Sequence, residues 1–173
     1  MNMPDKLTDA KVYLEGNALL GVADVELPSL EMETEKLEAF GIAGSVDMPS
    51  LGHFKEMSLK LKFRAPTQNA RKLREPKTHQ LELYASVQMY DQSRGEFTHT
   101  PYKVVLRGIP KKLPLGKLEK GKPMDMEYEL EVVYLKVEEE NREVLEIDKL
   151  AYVYKVNGTD YLSQVRQNLG GEG

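Results

Sequence analysis

The sequence predicts a mainly β protein: an antiparallel β-sandwich or barrel carrying one or two short α-helices. Three observations lead there. Apolar and polar residues alternate with a period of two over several long segments. Turn-forming clusters such as Asn157-Gly158 separate those segments. Helical periodicity, by contrast, is confined to two short stretches. Strands alternate side chains between two faces, so strict alternation marks one buried and one wet face.

In chain order, Lys11 to Leu14 is expected as a first strand, ended by Gly16-Asn17. Val22 to Leu27 is a second, stopped by Pro28-Ser29, and Met32 to Leu37 a third. Ala39 to Gly52 is rich in Gly, Ser and Pro and is expected as a long loop. From Met57 to Phe63 the apolar residues Met57, Leu59, Leu61 and Phe63 alternate with Ser58, Lys60 and Lys62, and Arg64 follows in register. Thr67 to Arg74 is expected to form a short helix, closed by Pro76. Gln80 to Tyr90 places Leu81, Leu83, Ala85, Val87 and Met89 on one face. Asp91 to Gly95 has the composition of a hairpin loop leading to a strand at Tyr102 to Leu106.

Pro110 to Pro123 mixes Lys, Gly and Pro and is expected as a loop. Met126 to Lys136 sets Met126, Tyr128, Leu130, Val132 and Tyr134 against Glu127, Glu129, Glu131, Val133 and Leu135. Its end is apolar on both sides and should pass under another element. Glu138 to Glu143 reads as a solvated hairpin tip. Ala151 to Val156 is a last strand, followed by the Asn157-Gly158 turn. Tyr161 to Leu169 is expected as a helix, with Asp160 as N-cap and Gly170 as its stop. No linker or internal repeat divides the chain, so residues 1–173 are expected as a single domain.

Composition narrows the function classes. The chain has 173 residues, 40% hydrophobic and 30% charged, enough for a real core. A net charge of -4 lacks the basic bias of a nucleic-acid-binding domain. With no cysteine, disulfide, thiolate and cysteine-ligated metal chemistry are excluded. Polar Met1 to Lys6 is not the start of a secretion signal, and no stretch reaches the roughly 20 apolar residues of a membrane helix.

No motif carries catalysis. His53, His79 and His99 fall in separate segments without ligand spacing, and are expected exposed or half-packed. Gly44-Ser45 lacks the second glycine of a nucleophile elbow, and Gly41-Ile42-Ala43-Gly44 lacks the ending of a phosphate loop. Glu127, Glu129 and Glu131 share one strand face and read as a solvated face rather than an acid–base pair. Glu138 to Glu140 lacks the spaced ligands of a calcium loop. Asn157-Gly158-Thr159 has the form of a glycosylation sequon but reads as a turn. Arg71, Lys72, Arg74 and Lys77 suit phosphate, a polar helix face or an inter-subunit patch facing the Glu138 to Glu140 tip.

The ends of the chain carry a recognisable pattern. The start runs Met3-Pro4-Asp5-Lys6-Leu7, Val12-Tyr13-Leu14-Glu15-Gly16, Gly21-Val22-Ala23 and Val25-Glu26-Leu27-Pro28-Ser29-Leu30. The end runs Glu146-Ile147-Asp148-Lys149-Leu150, Tyr154-Lys155-Val156-Asn157-Gly158-Thr159-Asp160 and Arg166-Gln167-Asn168-Leu169-Gly170. In order and spacing these blocks resemble the major tail tube proteins of contractile-tailed phages and of phage tail-like bacteriocins. The middle departs around Ala65 to Pro76, which is shorter and more basic here.

The resemblance implies a structural protein with no catalytic residues, cofactor or metal. It implies inner strands joined into a hexameric ring barrel, with rings stacked into a hollow tube driven through a bacterial envelope. Its implied partners are copies of itself and sheath, baseplate or tube-initiator, tape measure and tail terminator proteins, with DNA only as transient lumen cargo. It also implies assembly in the bacterial cytoplasm, then residence in a virion or extracellular particle. A secretion-system tube subunit is one alternative. A β-sandwich ligand-binding module, displaying Tyr84 and Tyr90, is another; a hydrolase has no nucleophile motif to support it. Long alternating strands with polar outer faces suit pairing of edges between subunits. On that basis the candidate lumen-lining residues are Lys60, Lys62 and Arg64 with Glu127, Glu129 and Glu131. Their mixed charge would avoid a positive field that holds DNA. The Ala39 to Gly52 loop and the terminal arms are the candidates for ring-to-ring contact.

Overall fold

A computed structural model describes residues 2–19 and 21–171. Met1, Leu20, Glu172 and Gly173 lie outside the described residues. The elements run β1 (Asn2–Leu14), β2 (Asn17–Ala18), β3 (Val22–Glu26), β4 (Met32–Leu37), β5 (Val46–Phe54) and β6 (Ser58–Phe63). A 3-10 turn over Ala70–Arg74 follows, then β7 (His79–Asp91), β8 (Glu96–Lys112), β9 (Met126–Glu139), β10 (Arg142–Asp148), β11 (Val153–Val156), β12 (Thr159–Asp160) and α1 (Ser163–Asn168). The main sheet is ordered β12-β11-β10-β9-β8-β7-β1-β2, with β6 joined to β9 and β3 to β6. β4 and β5 form a separate hairpin. All pairings are antiparallel, as the sequence predicts.

The alternating segments supply the core. Leu59, Leu61 and Phe63 of β6 and Met126, Tyr128, Leu130 and Val132 of β9 are buried, and so are Leu81, Leu83, Val104 and Leu106 from β7 and β8. They form one cluster with Val12 and Leu14 of β1. Each large aliphatic side chain so buried contributes about 1.5–3 kcal/mol. Phe63 and Tyr128 meet edge-on, with centroids 5.4 Å apart. Since β6 and β8 flank the same strand, the sheet curls around this core, and β3 faces β1 across a cleft of about 310 Å³.

β9 departs from the simple alternation. Its register with β8 shifts between Arg107 and Gly108, opposite Tyr134 and Val132. An extra residue in one strand flips the side-chain parity beyond it. Leu135 and Val137 therefore join the core, while Tyr134 turns to the opposite face from Val132. Sequence alternation alone put Tyr134 with Met126. Gly108 sits at this bulge, where an added Cβ would lie 3.1 Å from Leu130 Cβ.

Several boundaries are corrected. β1 begins at Asn2, far before Lys11, and pairs along β7 as far as Asp91. Bulges between Pro4 and Lys6 and between Leu7 and Asp9 break its period of two, hiding it in the sequence. Pro4 is tolerated because β1 is an edge strand there. The expected Ala39 to Gly52 loop is half strand: Val46–Phe54 returns along β4, leaving a turn near Ala39 to Ser45. β8 continues to Lys112, so the following loop starts later than Pro110. The Thr67 to Arg74 segment is a 3-10 turn rather than an α-helix.

Two turns follow their chemistry closely. Asn157 and Gly158 have φ of 51° and 85°, joining Val156 to Thr159. Glu140 and Asn141, with φ of 51° and 64°, close the β9–β10 hairpin between Glu139 and Arg142. Positive φ at both central residues is the twist-compatible hairpin turn. At the C-terminus Asp160 is not the N-cap; Leu162 occupies that position without a side-chain cap. The Asp160 carboxylate instead accepts the Leu162 N–H at 3.1 Å and pairs with Arg166. Gly170 ends α1 at φ 84°, as predicted.

Candidate assembly and lumen surfaces

The β6–β9 pairing gathers the sequence-selected residues. Lys60 lies opposite Glu129 and Lys62 opposite Glu127; Arg64 follows just past Phe63. β3 extends the charge alternation, with Glu26 opposite Lys60 and Asp24 opposite Lys62. Glu131 sits deeper in a network than its expected solvated setting. It accepts Lys111 Nζ at 2.8 Å and the Met57 N–H at 3.3 Å. Lys111 Nζ also donates to Ser58 Oγ at 2.7 Å and lies 3.7 Å from Glu129. Burial pulls the Lys111 ammonium down, but its bond to Glu131 and the charges of Glu131, Glu129 and Glu56 hold it above the ordinary lysine value. The carboxylates are thus half-buried and ion-paired, because β8 brings a lysine over them.

A second charged face lies on the outer side of β7, β8, β9 and β10. Tyr84 donates to Glu82 at 2.7 Å, and Lys103 Nζ lies 4.9 Å above the Tyr84 ring centroid. Arg107 covers Tyr134, whose hydroxyl donates to Glu146, which in turn lies 3.7 Å from Lys155. Lys136 and Glu138 are 3.7 Å apart. Sequence reading missed Lys103, Arg107, Lys136 and Glu146. The polar alternation of β7 pointed at this face, but its β9 members were hidden by the bulge.

The histidines divide. His53 and His99 are exposed, whereas His79 is wholly buried, contrary to expectation. Its Nε2 lies 2.9 Å from the Glu75 carbonyl oxygen, and Nδ1 lies 3.9 Å from a Glu15 carboxylate oxygen. Nearby Lys77 pairs with Glu75 at 3.3 Å and Glu15 at 3.8 Å, so one member of the basic cluster is engaged within the chain. Among the described residues, no group of three or more His, Asp or Glu could hold a metal ion. Among them, no helix is long and apolar enough to cross a membrane.

Two further surfaces bear on assembly. The outer edge of β1 is covered by β2 only at Tyr13 and Leu14, leaving Asn2 to Lys6 without a strand neighbour on that side among the described residues. The β4–β5 hairpin pairs with no strand of the main sheet and exposes Leu37, Phe40, Val46 and Met48. Bare edges and projecting apolar hairpins belong to proteins completed by neighbours.

The geometry defines a structural β protein whose chemistry lies on charged faces and open edges. The chain matches the family model for phage tail tube protein FII over residues 4–170, and it belongs to that family. It is 29% identical over 183 residues to the tail tube protein of Escherichia phage P2, with 98% of this chain and 99% of that protein covered. Its fold resembles the sheath/tube terminator of the PVC extracellular contractile injection system in the extended state. That match has a TM-score of 0.54 at 13% identity, over 79% of this chain and 97% of the other. A chain of the PVC sheath-tube complex matches with a TM-score of 0.52 at 10% identity, over 75% and 88% respectively. The protein is a tail tube subunit, and its relative in phage P2 is a structural tail component.

Proposed function

We propose that this chain forms hexameric rings that stack into the inner tube of a contractile injection particle. The observation that carries this is the family match across residues 4–170, with the unpaired β1 edge as its structural counterpart. Pairing that edge with a neighbouring subunit would satisfy backbone groups that a monomer leaves to water. Particle sheath, baseplate, tape measure and tail terminator are the expected partners, since the fold's PVC neighbours belong to a sheath/tube terminator and a sheath-tube complex. The tube conducts DNA in a phage or ions in a bacteriocin, after assembly in the bacterial cytoplasm.

The lumen wall we propose is the face of Lys60, Lys62, Arg64, Glu127, Glu129 and Glu131. A second placement is favoured by one observation. The Lys103–Arg107–Lys136–Glu146 face crosses four long adjacent strands and borders β1, the strand with the open edge. The cysteine-free sequence makes the distinction direct. Single cysteines at Lys62 and at Lys103 are exposed to a bulky maleimide after tube assembly. Protection at Lys62 supports the first placement, and protection at Lys103 alone replaces it with the second. The tube itself is tested by negative-stain electron microscopy at rising concentration. Six-fold rings or hollow tubes are expected; persistent monomer with a matching baseplate nucleus supplied would overturn the proposal.

A further inference from the structure

The β4–β5 hairpin and the loop between β8 and β9 carry opposite charge and unpartnered apolar side chains. The hairpin region holds Glu31, Glu33, Glu35, Glu38 and Asp47 against Lys36. The loop region holds Lys111, Lys112, Lys117, Lys120 and Lys122 against Glu119. Phe40 at the hairpin tip is fully exposed, and Leu115 and Leu118 of the loop are 82% and 89% exposed. Among the described residues, Glu33, Glu35 and Lys120 make no ion pair, while Glu119 is shared by Lys117 at 3.3 Å and Lys122 at 3.0 Å. Surfaces that combine bare leucine and phenylalanine with one sign of charge are adapted to a complementary protein rather than to water.

Their positions make the complement a second copy. β5 leads through Lys55 to Met57 into Ser58, so the hairpin springs from the Ser58 end of β6. The loop is fixed at the other end: Met124 N–H donates to the Arg64 carbonyl at 2.8 Å, and the loop feeds β9 at Met126, opposite Phe63. The six residues of β6 separate the two by roughly 20 Å. The hairpin base packs away from the loop, with Phe54 on Tyr154 and Gly52 against Leu162. A contact between unlike patches at opposite ends of one molecule is heterologous and propagates as an open stack.

We propose that the acidic β4–β5 hairpin of one subunit docks on the lysine-rich 113–125 loop of a second copy, setting the contact between successive rings. Phe40 and Met48 would meet Leu115 and Leu118, with the glutamates registered on the lysines. The inference rests on the tube reading and specifies which surfaces join. It differs from sheath binding because both halves lie on this chain.

Charge reversal tests it on the full-length protein. E33K/E35K/E38K and K117E/K120E/K122E alter exposed positions, with folding checked by circular dichroism. Each variant alone should need about tenfold or more protein to assemble, the size expected when several weak surface pairs turn repulsive. Mixing the two variants, or combining all six changes in one chain, should restore assembly, because each reversed hairpin then meets a reversed loop. Carbodiimide cross-linking of mixed light and heavy-isotope parent protein should yield inter-copy links between residues 31–38 and 117–122. Tubes that form equally well from every variant would overturn this contact and leave the tube reading intact. Parent protein that forms no tubes on a baseplate nucleus would overturn the tube reading. Absence of the inter-copy links, in tubes or in concentrated solution, would overturn the contact.

Discussion

The guanidinium of Arg107 lies over the ring of Tyr134, 4.1 Å from its centroid, and the Tyr134 hydroxyl donates to Glu146 at 2.7 Å. The three residues come from β8, β9 and β10, so the contact locks the bulge that reverses the parity of β9. Burial, then the bond to Glu146, pushes the Tyr134 phenol well above the usual tyrosine range. The substitution Tyr134→Phe should cost about 1 kcal/mol, from the lost hydrogen bond. Arg107→Met should cost about 0.5–1 kcal/mol, from the lost cation–π contact. Urea unfolding of the unassembled subunit should show lower midpoints with an unchanged slope, and the double variant should lose less than the sum if the pair is coupled.

Gly52 holds φ at +75°, and a Cβ added there would lie 2.6 Å from Leu162 Cδ1. The contact fixes the β4–β5 hairpin base to the segment leading into α1. Gly52→Ala adds positive-φ strain to that clash and should destabilise by about 1–3 kcal/mol. Faster hydrogen exchange confined to β5 and residues 160–168 would confirm it. A variant as protected as the parent would show that the two segments are not coupled here.

Acid should loosen the C-terminal segment through Asp160. Its bond with Arg166 holds the carboxyl below the ordinary value of 3.8, outweighing the opposing effect of burial. A carboxylate lowered in the folded state stabilises fully above its unfolded value, and that contribution is lost as pH falls through the folded value. Stability should therefore decline below about pH 4. Asp160→Asn should be weaker at neutral pH and show a flatter acid limb. Unfolding midpoints measured against pH for both proteins provide the check, and parallel acid limbs would refute the assignment.

The β9–β10 turn should accept improvement. Glu140 and Asn141 both adopt positive φ, which glutamate tolerates poorly. Replacing the pair with Asn-Gly, through Glu140→Asn and Asn141→Gly, should stabilise by about 0.5–1 kcal/mol. A higher urea midpoint is the expected reading. A lower one would mean that the Glu140 side chain contributes more than its strained backbone costs.

Much of this protein was legible in its sequence. The alternation of Ser58 to Phe63 and of Gln80 to Tyr90 marked buried faces that the structure reproduces, because a strand's period of two depends only on local backbone geometry. Asn157-Gly158 announced its turn because its residues tolerate positive φ. The opposed charges of β6 and β9 could be selected as a set, although their pairing Lys60 to Glu129 could not. Tertiary structure decided what depends on distant partners. β1 exists as a long strand only because β7 supplies hydrogen bonds to a segment whose bulges erase its alternation. The same is true of β5, a glycine- and proline-bearing segment that β4 holds extended. Parity in β9 changes where Gly108 admits a bulge, and Lys111 reaches Glu131 only after β8 folds alongside. Local geometry is written residue by residue, whereas register, bulges and the ends at which charged segments emerge are set by which strands meet.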